Sequence, residues 1–155
     1  YDIVFGDWSS DVCAADLGYC LPTNTAVPWA TFSNTVLAGS ATRYATGAAG
    51  TPIEVTVNYA YSPAASGCPG CVTQFYWGFF AGPAPASDAD PNAGFKHCRS
   101  GIQSAPNATY TFDLTLPTQP GTYYLRWSRS WQYSCNYTDL DANDPDRDLA
   151  VICVY

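Results

Sequence analysis

Charged side chains are scarce in this 155-residue chain: they make up 12% of the sequence, against roughly 25% in ordinary soluble domains. Lysine occurs once, at Lys96, and thirteen acids give a net charge of −7. An acidic chain without a basic stripe is not expected to bind nucleic acid or an anionic membrane surface. No apolar run reaches the length of a transmembrane helix, so we expect no membrane insertion.

Methionine is absent, and the chain begins at Tyr1 without an apolar leader. These two features predict a processed chain from which a secretion signal has been removed. Seven cysteines indicate an oxidising environment, and Asn-X-Thr sequons make Asn107 and Asn136 candidate glycosylation sites. The predicted location is therefore secreted, extracellular or at the cell surface.

No segment repeats its apolar residues at a helical period, but several segments alternate with a period of two. In residues 53–61 the odd positions are apolar, and in residues 121–135 they include Tyr123 and Trp127, with the even positions predicted to face solvent. About seven such strands predict an all-β fold, an antiparallel immunoglobulin-like β-sandwich formed by residues 1–155 as one domain. A closed barrel is the alternative architecture.

The order of these strands suggests two hairpins. Residues 53–61 are predicted to pair with residues 72–80, and residues 109–116 with the strand that begins at Gly121. The segments without a clear period, predicted to be loops, are residues 38–50 and 81–103.

Two residues of the strand that begins at Gly121 carry specific predictions. Tyr123 follows a proline-rich turn, and its phenol is predicted to bond back to that turn, as in the tyrosine corner of immunoglobulin-like sandwiches. Arg129 is the one charge on the apolar side, so either the sheet ends near it or its guanidinium is stacked and paired.

Three motifs lie in the later part of the chain. They are Cys68-Pro-Gly-Cys71 followed by Gln74, Tyr76 and Gly78; Cys98-Arg-Ser-Gly101; and Pro120-Gly-Thr-Tyr123 followed by Trp131-Gln-Tyr-Ser-Cys135. Together they resemble uncharacterised secreted bacterial β-sandwich domains of large surface proteins. The resemblance covers roughly residues 50–155. It implies a β-sandwich module in extracellular architecture, and it implies no activity and no catalytic residues.

Six cysteines can pair in about fifteen ways, so the spacing does not fix the disulfides. The preferred pairs are Cys13 with Cys20, Cys68 with Cys71, and Cys98 with Cys135. Cys153 is left over, on a strand face with Val151 and Tyr155. Two interpretations are open for it, a buried free thiol and a covalent link to another subunit.

The spacing of Cys68 and Cys71 also occurs in redox-active pairs and zinc knuckles. A redox pair needs a helix N-terminus, and a zinc site needs further cysteine or histidine ligands. The sequence offers neither, so a disulfide within a turn is the favoured interpretation.

The acidic segment before the last strand places oxygen atoms at alternate positions, as a hard cation requires. The candidate calcium ligands are Asp139, Asp141, Asn143 and Asp146. The segment lacks the glycine of an EF-hand turn, and Ala150 stands where that loop has its glutamate. A solvated acidic loop is therefore the favoured interpretation, and no other cofactor is expected.

His97, the only histidine, is predicted to be a surface residue of a loop. The chain has no Gly-X-Ser-X-Gly elbow, and no pair of carboxylates is placed by sequence on facing strands. We therefore expect a protein without enzymatic activity, and keep a hydrolase with a site assembled in space as a third alternative.

Aromatic residues make up 15% of the chain and include five tryptophans. Trp77 and Trp127 lie on strongly apolar strands and are predicted to be core. Trp8, Trp29 and Trp131 lie near strand ends and form a candidate platform for a sugar ring.

These observations predict an extracellular structural protein, a subunit of a fibre, appendage or surface layer that assembles as a homo-oligomer or filament through aromatic, weakly charged surfaces. Residues 1–8 and 149–155 are predicted strands, and a terminal strand can complete a neighbour's sheet. The alternative is a carbohydrate-binding or adhesive β-sandwich module with a glycan as its partner.

Overall fold

A computed structural model describes residues 13–14, 19–21, 25–39, 43–65, 67–68, 70–81, 90–132, 134–137, 140 and 147–155. These residues form strands and no α-helix. The strands are β1 (Cys13–Ala14), β2 (Tyr19–Cys20), β3 (Thr25–Val27), β4 (Ala30–Leu37), β5 (Tyr44–Gly47), β6 (Pro52–Tyr61), β7 (Thr73–Phe80), β8 (Gly94–Ile102), β9 (Ala105–Thr115), β10 (Gly121–Ser130) and β11 (Asp148–Val154).

The strands form two main sheets. One has the order β5-β11-β10-β7-β8 and the other β3-β4-β6-β9, while β1 and β2 form a separate hairpin. All pairs are antiparallel except β5 with β11. The prediction of an antiparallel immunoglobulin-like β-sandwich is confirmed, with more strands than the seven expected. Trp77, fully buried on β7 of the five-stranded sheet, matches the buried tryptophan of that architecture.

The core lies between β6 and β10, as their alternation predicts. Ile53, Val55 and Val57 of β6 face Leu125 and Trp127 of β10 within one apolar cluster. Aromatic rings fill its centre: the centroid of Phe32 lies 4.4 Å from that of Trp127 and 5.3 Å from that of Phe75. Contacts at these separations add to the free energy gained from burying the rings.

The central even positions of β10 are buried, so the prediction that this face of the strand is exposed to solvent is wrong there; Thr122 and Ser130 at the two ends are partly exposed. Tyr124, Arg126 and Ser128 are at most 4% exposed. The Arg126 guanidinium donates to both carboxylate oxygens of Asp148, at 2.6 Å and 3.1 Å, and neither side chain is exposed. A charge is tolerated there because its partner neutralises it, which the alternation of polar and apolar residues does not reveal.

Neither predicted hairpin forms. β6 and β7 lie in opposite sheets, as do β9 and β10, so both connections cross from one sheet to the other. The 62–72 connection is longer than a tight hairpin loop. Two predicted loops also contain strands: β5 pairs with β11, and β8 forms the edge of the five-stranded sheet. The predicted last strand is present as β11.

Close backbone contact explains one motif glycine. A Cβ atom on Gly78 would lie 1.8 Å from the carbonyl oxygen of Gly94 on the neighbouring strand. Only glycine allows β7 and β8 to pair at this point.

The turn before β10 is held from two directions. The Tyr123 hydroxyl donates to the Gln119 carbonyl at 3.0 Å, the bond predicted for a tyrosine corner. The buried Asp90 carboxylate accepts from the backbone N–H groups of Thr118, at 2.6 Å, and Gln119, at 2.9 Å. Burial raises the pKa of Asp90, but hydrogen bonds from the Asn92 N–H and the Thr118 hydroxyl, together with these two, outweigh that effect, so its pKa is lowered overall.

Replacing Tyr123 with Phe should remove the bond to Gln119 and leave a partly buried carbonyl without this donor. We expect the free energy of unfolding to fall by about 1 kcal/mol, measured by urea denaturation. Tyr155→Phe is the matched control, because Tyr155 is 72% exposed and should unfold like the wild type. Unchanged stability of Tyr123→Phe would show that the corner bond contributes nothing.

Candidate functional site

The segment that follows β10 is fixed to the edge of the five-stranded sheet. The Cys98–Cys135 disulfide joins it to β8 across a Cα–Cα distance of 6.1 Å. Two large apolar side chains of this segment are exposed, Trp131 at 50% and Tyr137 at 47%. We call residues 131–137 the platform segment; position 133 lies outside the described residues.

Two side chains of β7 hold the platform segment by its backbone. Gln74 Oε1 accepts from the Gln132 N–H at 2.8 Å, and the Tyr76 hydroxyl accepts from the Asn136 N–H at 2.9 Å. The same hydroxyl lies 2.9 Å from Ser130 Oγ at the end of β10. Gln74 and Tyr76 are fully buried, so this attachment works without competition from water.

Trp29 and Trp131 meet through Arg129. The guanidinium carbon of Arg129 lies 3.6 Å from the Trp29 ring centroid and 4.1 Å from that of Trp131. Trp29 in turn makes an edge contact with the core residue Trp127, with centroids 5.8 Å apart. The predicted platform residues are therefore brought together by an arginine that was not predicted to belong to the site. Trp8 lies outside the described residues.

The Arg129 guanidinium is stacked rather than ion-paired. Among the described residues the salt bridge joins Arg126 to Asp148, and none involves Arg129. Its Nη1 is buried and has no hydrogen-bond partner there. Burial lowers the pKa of Arg129; Tyr61 raises it and the nearby positive charge of Arg147 lowers it further. A cation that has no counter-ion among the described residues thus lies against the exposed Trp131 ring.

His97 belongs to strand β8 and is half-buried, so its prediction as a surface loop residue is wrong. Its ring stacks on Phe112, with centroids 4.3 Å apart, and its Nε2 lies 2.9 Å from the Tyr110 hydroxyl. These contacts join β8 and β9, the edge strands of the two sheets, along one side of the sandwich. Burial lowers the pKa of His97, and Asp113 partly offsets this effect. The imidazole therefore has a packing role between the sheets.

The cysteines have three outcomes. The Cys68–Cys71 disulfide is present, as preferred, in the connection between β6 and β7. Cys13 and Cys20 are directly opposed in the β1–β2 register, but their side chains lie outside the described residues. Cys153 is free and exposed, so its interpretation as a buried thiol is wrong. It lies opposite Thr122, where the outer face of the sheet is no longer covered.

The other predicted sites differ in what the structure shows. Asn107 and Asn136 are both exposed, as a glycosylation site requires. The candidate calcium ligands Asp139, Asp141, Asn143 and Asp146 lie outside the described residues. Within the described residues, no three His, Cys, Asp or Glu side chains form a group that could hold a metal ion. The same residues contain no helix with the length and hydropathy of a membrane span.

Comparison with solved structures shows only a distant likeness. No protein-family model matches the chain, and no curated protein matches its sequence. The solved CARDB domain of the PF1109 protein from Pyrococcus furiosus, in complex with di-metal ions, is similar over 83% of this chain and 96% of its own. The two share 11% sequence identity with a TM-score of 0.38. Similarity at this level transfers neither a metal site nor a function.

The lowered pKa of His97 predicts a pH-dependent stability. The unfolded histidine binds protons more readily than the folded one, so the free energy of unfolding should rise with pH below 6.5 and level off above it. Urea denaturation at a series of pH values measures this slope. His97→Phe, which can keep the stack on Phe112, should abolish it. An identical slope in the variant would assign the effect to other groups.

The two attachments of the platform segment should be separable by hydrogen exchange. Tyr76→Phe removes the acceptor of the Asn136 N–H and should speed exchange of that amide roughly tenfold, while the Gln132 amide stays protected. Gln74→Leu should do the reverse, so each variant is the control for the other. Equal acceleration of both amides in either variant would mean that the segment opens as a unit.

Proposed function

We propose that this protein is a non-enzymatic extracellular structural protein, a subunit of a fibre, appendage or surface layer. Its two described disulfides suit a non-reducing compartment. The most distinctive motif residues serve the scaffold: Gln74, Tyr76 and Gly78 fix strands and segments to one another. Because these cysteines and buried polar groups hold the fold together, they favour a structural role over an enzymatic one.

The observation that carries this proposal is the open edge of β9. β9 spans eleven residues and is the last strand of its sheet, paired only with β6 among the described strands. The side chains on its outer face are mainly threonines, and Asp113 is its one charged residue. A long edge with so little charge is a template for a strand of another copy.

Two features of the described residues change where we expect copies of the chain to contact one another. Most aromatic side chains of the described residues are buried, and the exposed large apolar side chains among them are Trp131, Tyr137 and Tyr155. The C-terminal strand β11 lies between β10 and β5, with Ile152 in the core, so it completes its own sheet. The predicted N-terminal strand, residues 1–8, lies outside the described residues. We therefore place the contact between copies at the β9 edge.

A second candidate function is a carbohydrate-binding or adhesive module with a glycan partner. It is favoured by one observation, the half-exposed Trp131 beside Trp29 and Arg129. An exposed indole on a fixed backbone is suited to stacking against a sugar ring.

Assembly through β9 predicts a concentration-dependent oligomer, measured by light scattering and electron microscopy. Thr111→Lys adds a charge on the edge strand, leaves the Asn107 sequon intact and should weaken association about tenfold or more. Thr56→Lys is the matched control: it lies on the central strand β6, and the two threonines share one side-chain hydrogen bond across the β6–β9 pair. This control should assemble like the wild type.

Three outcomes bear on the proposal directly. An intact chain that stays a monodisperse monomer at high concentration would end it. Cys153→Ser separates strand pairing from a disulfide between copies: oligomers that survive this change and persist under reducing conditions support edge pairing. Oligomers that vanish with Cys153 would replace the β9 contact by a covalent one through the exposed thiol.

A further inference from the structure

The Trp131 ring has one covered and one open side. The Arg129 guanidinium lies against it at 4.1 Å, and the residue is nevertheless 50% exposed. The ring is fixed in place because Gln74 binds the next backbone N–H and the Cys98–Cys135 disulfide holds the far end of the platform segment. A fixed platform loses little conformational entropy when a ligand stacks on it.

Arg129 supplies a charge that the described residues do not neutralise. Trp29 and Trp131 both lie against its guanidinium, and its Nη1 is buried, so a ligand can reach this partly exposed residue only through the other N–H groups at its edge. The edge of a guanidinium is where a carboxylate binds it most strongly. The protein carries a net charge of −7, so a positive charge next to an exposed indole differs from its mainly acidic surface.

We propose that Trp131 and Arg129 form a binding site for an acidic oligosaccharide, with one sugar ring stacked on Trp131 and the carboxylate of the adjacent uronate residue at the edge of Arg129. Two sugar residues are required because the guanidinium and the open face lie on opposite sides of the indole. This site deepens the carbohydrate-binding alternative and is independent of assembly through β9.

The chemistry of the two residues separates an acidic sugar from other ligands. A neutral oligosaccharide can use the indole but has no charge for Arg129, and an acidic peptide can use Arg129 but presents no flat ring. A uronate oligosaccharide uses both. It should bind roughly tenfold or more tightly than a neutral oligosaccharide of the same length at low ionic strength.

The test is calorimetric titration of the intact protein with tetragalacturonate, a neutral galactose tetramer and a short polyglutamate peptide. Arg129→Gln should weaken binding of the uronate by a larger factor than binding of the neutral sugar, so that the preference for the uronate is lost. Trp131→Ala should weaken both sugars by roughly two- to tenfold. Tyr155→Ala, another exposed aromatic residue, is the control and should bind like the wild type. Raising the salt concentration should reduce the uronate preference.

Each contrary result has a distinct meaning. Equal affinity for uronate and neutral sugar would overturn the acidic site and leave the carbohydrate-binding module standing. Binding of neither sugar at millimolar concentrations would overturn both. Polyglutamate binding as tight as tetragalacturonate, or a loss in Tyr155→Ala equal to that in Trp131→Ala, would overturn the saccharide assignment. None of these results tests assembly, which is measured separately by light scattering.

Discussion

The fold depends on burying both faces of β10, the middle strand of the five-stranded sheet. Its inner face contributes Leu125 and Trp127 to the aromatic core, and its outer face holds Arg126. A buried guanidinium is costly unless a carboxylate pairs with it. Asp148 can do so because β11 lies directly beside β10, in the register that pairs the two residues. The core and the position of the last strand are therefore linked through one ion pair.

Four of the six cationic side chains of this chain pack against aromatic rings. Arg99, Arg126, Arg129 and Arg147 each lie within 5.7 Å of an aromatic ring centroid. With these arginines against rings, the exposed charge is mainly acidic, and two copies should repel over most of their surface. Contact between copies is least opposed where carboxylates are few. The edge of β9, with Asp113 as its one charged residue, meets this condition.

The sequence predicts the parts of the fold that follow from local rules. The alternation of β6 fixes its buried face, and the proline-rich turn before Tyr123 identifies the corner bond. It does not predict β8, because His97 and Arg99 read as polar although they pack against Tyr110 of the opposite sheet. Packing between the two sheets determines the environment of these side chains, and no local sequence pattern encodes that packing. The candidate site is also only partly predictable. Trp29 and Trp131 can be identified from the sequence because they lie near strand ends. Their contacts with Arg129 depend on the tertiary fold and cannot be predicted locally.

The motif residues can be sorted by whether the fold needs them. Gln74 and Tyr76 satisfy backbone donors, Cys135 forms a disulfide, and Gly78 prevents a collision between strands. Trp131 differs, because half of it is exposed and its ring covers a guanidinium instead of filling the core. Exposing so large an apolar ring to water is unfavourable, and the scaffold does not need the ring in that position. The rest of the motif holds the platform segment in one position, which makes Trp131 the residue best placed to contact the proposed ligand.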